Sequence, residues 1–349
     1  SGDTGKAALE GFHDVDGIRI CVFYPHGGVS QVQRAQMVTQ EGNNVAVCAV
    51  RGNFDDAQTG VKNIFNAYRD KELPHRLSSA NSINIGRLAP QITYYFKAYA
   101  DLMARGEISL GDKVNFSVPT GNFGDILAGY LAKKLGLPVG KLICASNANN
   151  VLTDFIRTGT YDKRRSLLKT TSPSMDILVS SNLERLLYLL SGDCALVASL
   201  MEQLSKNGSY TVPEALLKDI QEQFWADCCD DAGAETVIGK VFKDYGYLCD
   251  PHTAAGWAAA ENYVNQTGDH RAMVVLSTAS PYKFTPAVLE GLGKSAESED
   301  EFGMISAVEE YTGVPAPVKL TELKGASPRF TETVEKTEME AVALSMLGI

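Results

Sequence analysis

The stretch KVNFSVPTGNFGDILAGYLAKKLGLPVGKLICA, residues 113–145, decides the fold. Its apolar start, 113–118, reads as a strand, 126–135 as a helix and 141–145 as the next strand. Between the first strand and the helix lies the tight turn Pro119-Thr120-Gly121-Asn122-Phe123-Gly124-Asp125. A strand, a crossover helix and a second strand of these lengths form the repeating unit of a parallel sheet covered by helices.

The same grammar extends outward in both directions. Towards the N-terminus, residues 18–24 read as a buried strand ended by Pro25, 31–39 as a helix, and 45–50 as a second strand. The helix expected over 55–68 carries Val61, Ile64, Phe65 and Tyr68 on one face. Beyond the polar stretch 78–82, residues 85–104 form a long helix with the aromatic cluster Tyr94, Tyr95, Phe96 and Tyr99. Residues 150–225 are helical without strand signals and read as an insertion, 272–276 as a strand, 294–302 as an acidic loop, and 330–347 as a closing helix. The expected class is α/β, with two domains that each hold a mainly parallel sheet flanked by helices. The boundaries expected are 1–76 for a small domain, incomplete at its N-terminus, and 77–349 for a large one.

Composition narrows the function. The chain has 349 residues, of which 44% are hydrophobic and 21% charged, which excludes disordered and collagen-like classes. A net charge of −10 repels phosphate backbones and anionic lipid, so neither nucleic acid nor membrane is an expected partner. No apolar run approaches the ~18 residues of a membrane helix. The seven cysteines are scattered and odd in number, and no CxxC or His spacing suggests a metal site or a disulfide framework. Reduced thiols and a cytoplasmic location are expected.

The chemistry concentrates in glycine-rich and polar turns at helix starts. In Gly121, Asn122, Phe123, Gly124 and Asp125, glycines admit close approach to the backbone, and the helix N-terminus that follows offers N–H groups and a favourable dipole to an anion. The plain alternative is a turn that only joins strand to helix. Ser1-Gly2-Asp3-Thr4-Gly5 is a second such turn, suited to a carboxylate, with Asp3 equally readable as an N-cap. A third, Asn81-Ser82-Ile83-Asn84-Ile85-Gly86-Arg87, offers hydroxyl, amide and guanidinium donors for a phosphate, or a capped helix with Arg87 in solvent. The segment 276–280 ends a strand in hydroxyls, including Thr278, where ligands sit in open α/β sheets. Asp250-Pro251-His252 starts a helix, and His252 reads as structural.

Taken in order, these segments resemble threonine synthase, a pyridoxal-phosphate enzyme of fold type II, the tryptophan-synthase-β-like group. They are SGDTG at Ser1, HGGVSQVQRAQM from His26, GNFDDAQ from Gly52, NSINIGRL from Asn81, PTGNFGDILAGY from Pro119, DPHTAAG from Asp250 and STASPYKF from Ser277. The resemblance implies that Gly121, Asn122, Phe123, Gly124 and Asp125 hold the cofactor phosphate. It implies that Thr278 bonds the pyridine nitrogen and leaves it unprotonated. Ser1, Gly2, Asp3, Thr4 and Gly5 would take the substrate carboxylate, and Ser82, Asn84 and Arg87 the substrate phosphate. Where the family more often has His and Ala in its TAHPAKF segment, this chain has Ser280 and Tyr282.

The activity implied is conversion of O-phospho-L-homoserine and water to L-threonine and phosphate, the last step of threonine biosynthesis. The alternatives are a threonine-synthase-like phospholyase, another fold type II lyase, or a non-catalytic ligand-binding relative. The family's Schiff-base lysine sits in a PTxxFKD-like segment, and no such segment occurs in these residues. That lysine is therefore expected upstream of Ser1. The chain as given is expected to hold pyridoxal 5′-phosphate without a covalent link, or not at all, and to be inactive.

Overall fold

A computed structural model of the chain describes residues 2–296 and 300–348. In order the elements are α1 (Gly2–Phe12), β1 (Ile20–Pro25), α2 (Gln31–Val38), β2 (Val45–Arg51), α3 (Phe54–Tyr68), α4 (Ile85–Ala104), β3 (Val114–Pro119) and α5 (Gly124–Lys134). There follow β4 (Val139–Ser146), α6 (Val151–Thr158), β5 (Thr160–Asp162), α7 (Leu183–Ser191), α8 (Cys194–Asn207), β6 (Ser209–Thr211), α9 (Glu214–Gln223), β7 (Phe224–Cys228) and α10 (Asp231–Tyr245). The chain closes with α11 (Pro251–Thr267), β8 (Met273–Val275), α12 (Thr285–Gly291), α13 (Glu301–Thr312), α14 (Val318–Thr321), β9 (Thr333–Glu335) and α15 (Met339–Leu347). Two compact units result, one from residues 2–81 with 300–348, the other Ser82–Ala296.

In the first unit, β1, β2 and β9 form a parallel sheet in that order. Val47, Cys48, Ala49 and Val50 of β2 are all buried, because helices cover both faces. Leu9, Met37 and Val38 pack on one side, and Ile64, Met339 and Ala343 on the other. Three sequence expectations are corrected here. Residues 300–348 belong to this unit and not to a large domain running to 349, because β9 pairs with β2 at Ala49↔Thr333 and Val50↔Val334. The closing helix expected over 330–347 begins instead with that strand, since pairing with the open edge of β2 outweighs local propensity. The turn at Gly2, Asp3, Thr4 and Gly5 lies inside α1. A Cβ at Gly5 would stand 2.8 Å from Val22 Cγ1, so the glycine serves close helix-to-sheet packing.

The second unit is built on a four-stranded parallel sheet, β7-β4-β3-β8. Every residue of β3 is buried. The first of its two polar side chains is satisfied within the sheet: Asn115 Nδ2 donates to Asp269 Oδ2 at 2.9 Å, and its Oδ1 accepts from Lys141 N at 2.7 Å. This side-chain bond to the neighbouring strand coincides with the register shift between Val114 and Phe116. On one face α4 and α5 pack together, with Tyr95 against Phe116 at 5.0 Å. On the other lies α11, where Gly256 O accepts from Ser117 Oγ at 2.6 Å. Within 150–225, expected to lack strands, β5 and β6 form an antiparallel pair whose Tyr161 and Tyr210 stack at 5.4 Å. Just beyond its core, β7 joins the main sheet at Leu142↔Phe224. These strands are too short to show periodicity and exist only because they find partners.

Gly129 marks a close contact between α4 and α5: a Cβ there would lie 2.6 Å from Tyr95 Cε1 and 2.9 Å from Leu142 Cδ2. Gly129→Ala gains about 1 kcal/mol of helix propensity against about 1–3 kcal/mol of overpacking. The clash is with rigid groups and wins. Chemical denaturation is expected to show a net loss of stability, and an unchanged midpoint would contradict this packing.

Candidate anion-binding site

The site begins where β3 ends. Thr120 N donates to Ala145 O at 2.8 Å, so the sheet ladder carries the chain up to Gly121. Phe123 then turns into the left-handed region at φ 56° and becomes the N-cap of α5, with no side chain capping the helix. That conformation costs about 1–2 kcal/mol in a non-glycine residue. It is held by burial of the Phe123 ring, which packs against Phe224 at 5.7 Å. An uncapped start of an eleven-residue helix, reached through glycines, presents backbone N–H donors and the positive end of the dipole. This donor set fits a phosphate. Gly121 is required, since a Cβ there would stand 2.6 Å from Ser174 O.

Asp125 lies in the first turn. Tyr95 O–H donates to its backbone O at 2.8 Å and to Oδ1 at 3.2 Å. Burial raises its pKa from 3.8 to about 6, with the tyrosine bond opposing the shift.

The structure brings the third polar turn to this loop. Ser180 Oγ donates to Gly121 O at 2.7 Å, and Ser181 Oγ to Asn122 Oδ1 at 3.0 Å. Asn182 Nδ2 donates to Asn122 O at 2.8 Å and to Ser82 O at 3.3 Å. Asn84 caps α4 by accepting from Gly86 N at 2.8 Å. Arg87 is half-buried, and desolvation lowers its pKa from the usual value, a setting that favours an anionic partner.

Thr278 reaches the same end of the sheet. β8 pairs with β3 at Ser117↔Val275, so Thr278 follows Val275 by three residues, as Thr120 follows Ser117. Its side chain is exposed. Ser1 lies outside the described residues, and Gly2, Asp3, Thr4 and Gly5 belong to the first unit.

His252 is buried with both ring nitrogens engaged. Ser174 N donates to Nε2 at 3.2 Å, which leaves the proton on Nδ1, 2.7 Å from Asp250 Oδ1. This is the structural role expected, and it anchors the turn that covers Gly121. The sequence reading missed Ser174, Ser180 and Asn182. The only signal for Ser180 and Asn182 was a Ser-Ser-Asn run before an apolar helix, which marks a helix start and not its partners, and Ser174 carried only the turn mark of the Ser-Pro-Ser run at 172–174. None of the seven cysteines is in a disulfide. Among the described residues no helix is long and apolar enough to cross a membrane.

The parallel α/β sheets flanked by helices are those of the type II fold of pyridoxal-phosphate enzymes, an assignment carried by likeness to solved threonine synthases. Residues 253–343 match the family described as "Threonine synthase, C-terminal". The chain is 39% identical to threonine synthase-like 1 of Homo sapiens, over 99% of this chain and 47% of that protein. It is 43% identical to threonine synthase of Pseudomonas aeruginosa, over 84% of this chain and 61% of the relative. The crystal structure of pyridoxal-phosphate-bound threonine synthase from Brucella melitensis superposes with a TM-score of 0.84 at 37% identity, covering 100% of this chain and 69% of that one. The chain belongs to the threonine synthase family. It spans about half the length of the threonine synthase-like 1 sequences it matches.

The raised pKa of Asp125 has a sign that can be checked. The folded state keeps this proton up to about pH 6, whereas the unfolded chain releases it near 3.8. The stabilising contribution is therefore complete below the lower value and lost as pH rises through the higher. Relative to Asp125→Asn, the native protein should lose about 2 kcal/mol between about pH 4 and pH 7, after allowance for partial exposure. Denaturant midpoints across that range measure it; a constant difference would contradict the burial argument.

Proposed function

We propose that this chain carries the cofactor-phosphate and substrate-phosphate loops of a threonine synthase, which converts O-phospho-L-homoserine and water to L-threonine and phosphate. The observation that supports this best is the convergence of two helix N-termini, α4 and α5, with Thr278 at one end of the sheet of the second unit. When bound, pyridoxal 5′-phosphate would supply the electron sink that stabilises a carbanion beside the substrate amine. Gly121, Asn122, Phe123, Gly124 and Asp125 would hold its phosphate through the uncapped N–H groups of α5. The Thr278 hydroxyl would donate to the ring nitrogen and, being neutral, leave it unprotonated. Ser82, Asn84 and Arg87 would bind the phosphate that leaves, with the guanidinium compensating the charge that develops on it.

A second reading, a threonine-synthase-like phospholyase, shares this support. The match to threonine synthase-like 1 covers 99% of this chain, and that to the Pseudomonas aeruginosa enzyme 84%. A phospholyase would use the same loops, eliminate phosphate and add no water to the β-carbon. Product analysis separates the two. With the protein that the gene encodes, threonine and phosphate in equal amounts support the synthase, and a 2-oxo acid with ammonia supports the lyase. In either case Arg87→Ala is expected to raise KM for the phosphorylated substrate about 10–100-fold, with pyridoxal 5′-phosphate affinity little changed. Equal loss of both would reassign Arg87.

The 349 residues contain no full PTxxFKD segment, and the one FKD run, Phe242-Lys243-Asp244, lacks the Pro-Thr before it and places Lys243 exposed in the last turn of α10. The chain by itself is expected to bind pyridoxal 5′-phosphate reversibly and to gain no mass after borohydride reduction. A stable adduct would show that one of its own lysines serves.

A further inference from the structure

We propose that Asn182 is the positioning residue that holds the 121–125 loop and the 82–87 loop in fixed register, an assignment that rests on the phosphate roles given to those loops above.

Asn182 is fully buried, and its backbone stands at φ 76° and ψ −14°, a left-handed conformation that Asn and Gly tolerate best. Its side chain has two N–H donors and one strong acceptor, and each is used. Nδ2 donates to Asn122 O at 2.8 Å and to Ser82 O at 3.3 Å, while Oδ1 accepts from Arg185 Nη1. The same guanidinium donates through Nη2 to Ile83 O at 2.6 Å. Two carbonyls on one side of the amide and a cation on the other fix its orientation, because a flip would oppose oxygen to oxygen. Aspartate would lose both donors, and glycine would keep the backbone while losing every bond.

What the amide grips decides what the loops can offer. In a trans peptide the C=O and the following N–H point in opposite directions. Gripping Asn122 O therefore turns the Phe123 N–H away from Asn182, and gripping Ser82 O does the same for the Ile83 N–H. Ser180, on Gly121 O, acts alike on the Asn122 N–H. The donors are thereby aimed outward, and the separation of the two sets is set by one rigid side-chain amide. Ser181 adds a weaker link through side chains, with its Oγ 3.0 Å from Asn122 Oδ1 and 3.4 Å from Ser82 Oγ. That link leaves both backbones ungripped.

The test compares Asn182→Gly, which keeps the left-handed backbone, with Ser180→Ala, which touches one loop. Three measurements are made on the whole chain: amide hydrogen exchange, thermal melting, and the affinity for pyridoxal 5′-phosphate relative to pyridoxal. Asn182→Gly should accelerate exchange in both 82–87 and 121–126, and reduce the phosphate-specific preference about tenfold. Ser180→Ala should accelerate exchange in 121–126 alone. A lower melting temperature with exchange and preference unchanged would reduce Asn182 to a packing residue and overturn the proposal, as would acceleration confined to one loop. If the unsubstituted chain does not distinguish pyridoxal 5′-phosphate from pyridoxal, the cofactor reading fails, and the exchange pattern alone then decides whether Asn182 ties the loops.

Discussion

β3 is buried from Val114 to Pro119 and paired on both edges, and the second unit is organised around that constraint. Val114, Phe116 and Val118 are fully buried, each contributing about 1.5–3 kcal/mol through removal from water. Because all four strands of the sheet run parallel, their carboxyl ends open at one edge, and the loops that leave them are gathered there. The helix start at Gly124 and the hydroxyl of Thr278 share that edge for this reason, and the turn before α4 is tied to it through Asn182, although these parts are separated by up to about two hundred residues of chain.

Placing polar loops over such a core requires that every buried donor find an acceptor, and the connector between β5 and α7 meets that requirement with side chains. Asn147 Nδ2 and Asn149 Nδ2 both donate to Asp176 Oδ1, at 2.9 and 2.8 Å, and Thr170 N donates to its other oxygen at 3.1 Å. Asn149 also bonds Leu168 through both its amide atoms, donating to O and accepting from N at 2.9 Å. These bonds fold the connector back over the carboxyl end of β4. Ser174 and Ser180 are thereby delivered to Gly121, with the neutral His252 holding Ser174 from the opposite side. A network of this kind is stiff because breaking one member strands the others without water to replace it.

The reading of the sequence succeeded where periodicity and chain direction agree. The helix at 85–104 and the strand-turn-helix around Gly121 were legible because apolar spacing and glycine placement point to one answer. It failed where a segment takes its structure from a partner. Thr333-Val334-Glu335 has no strand pattern of its own and becomes one on meeting β2. The pair β5 and β6, three residues each, is stabilised by the stacked rings of Tyr161 and Tyr210 from either side of a long helical excursion. The glycines at residues 2 and 5, read as a turn, lie within a helix that fits closely against Val22 and Met37.

By itself the sequence determined the fold class and the place of the glycine turn between β3 and α5, because hydrophobic period, helix starts and glycine are local properties written within a dozen residues. Its family motifs likewise pointed to the right family before any geometry was known. Which turns meet, and which side chains orient them, was decided only in three dimensions. Asn182, Ser180 and Ser174 carry no local mark of their role, since a hydrogen bond across about sixty or a hundred residues depends on where the sheet places both ends.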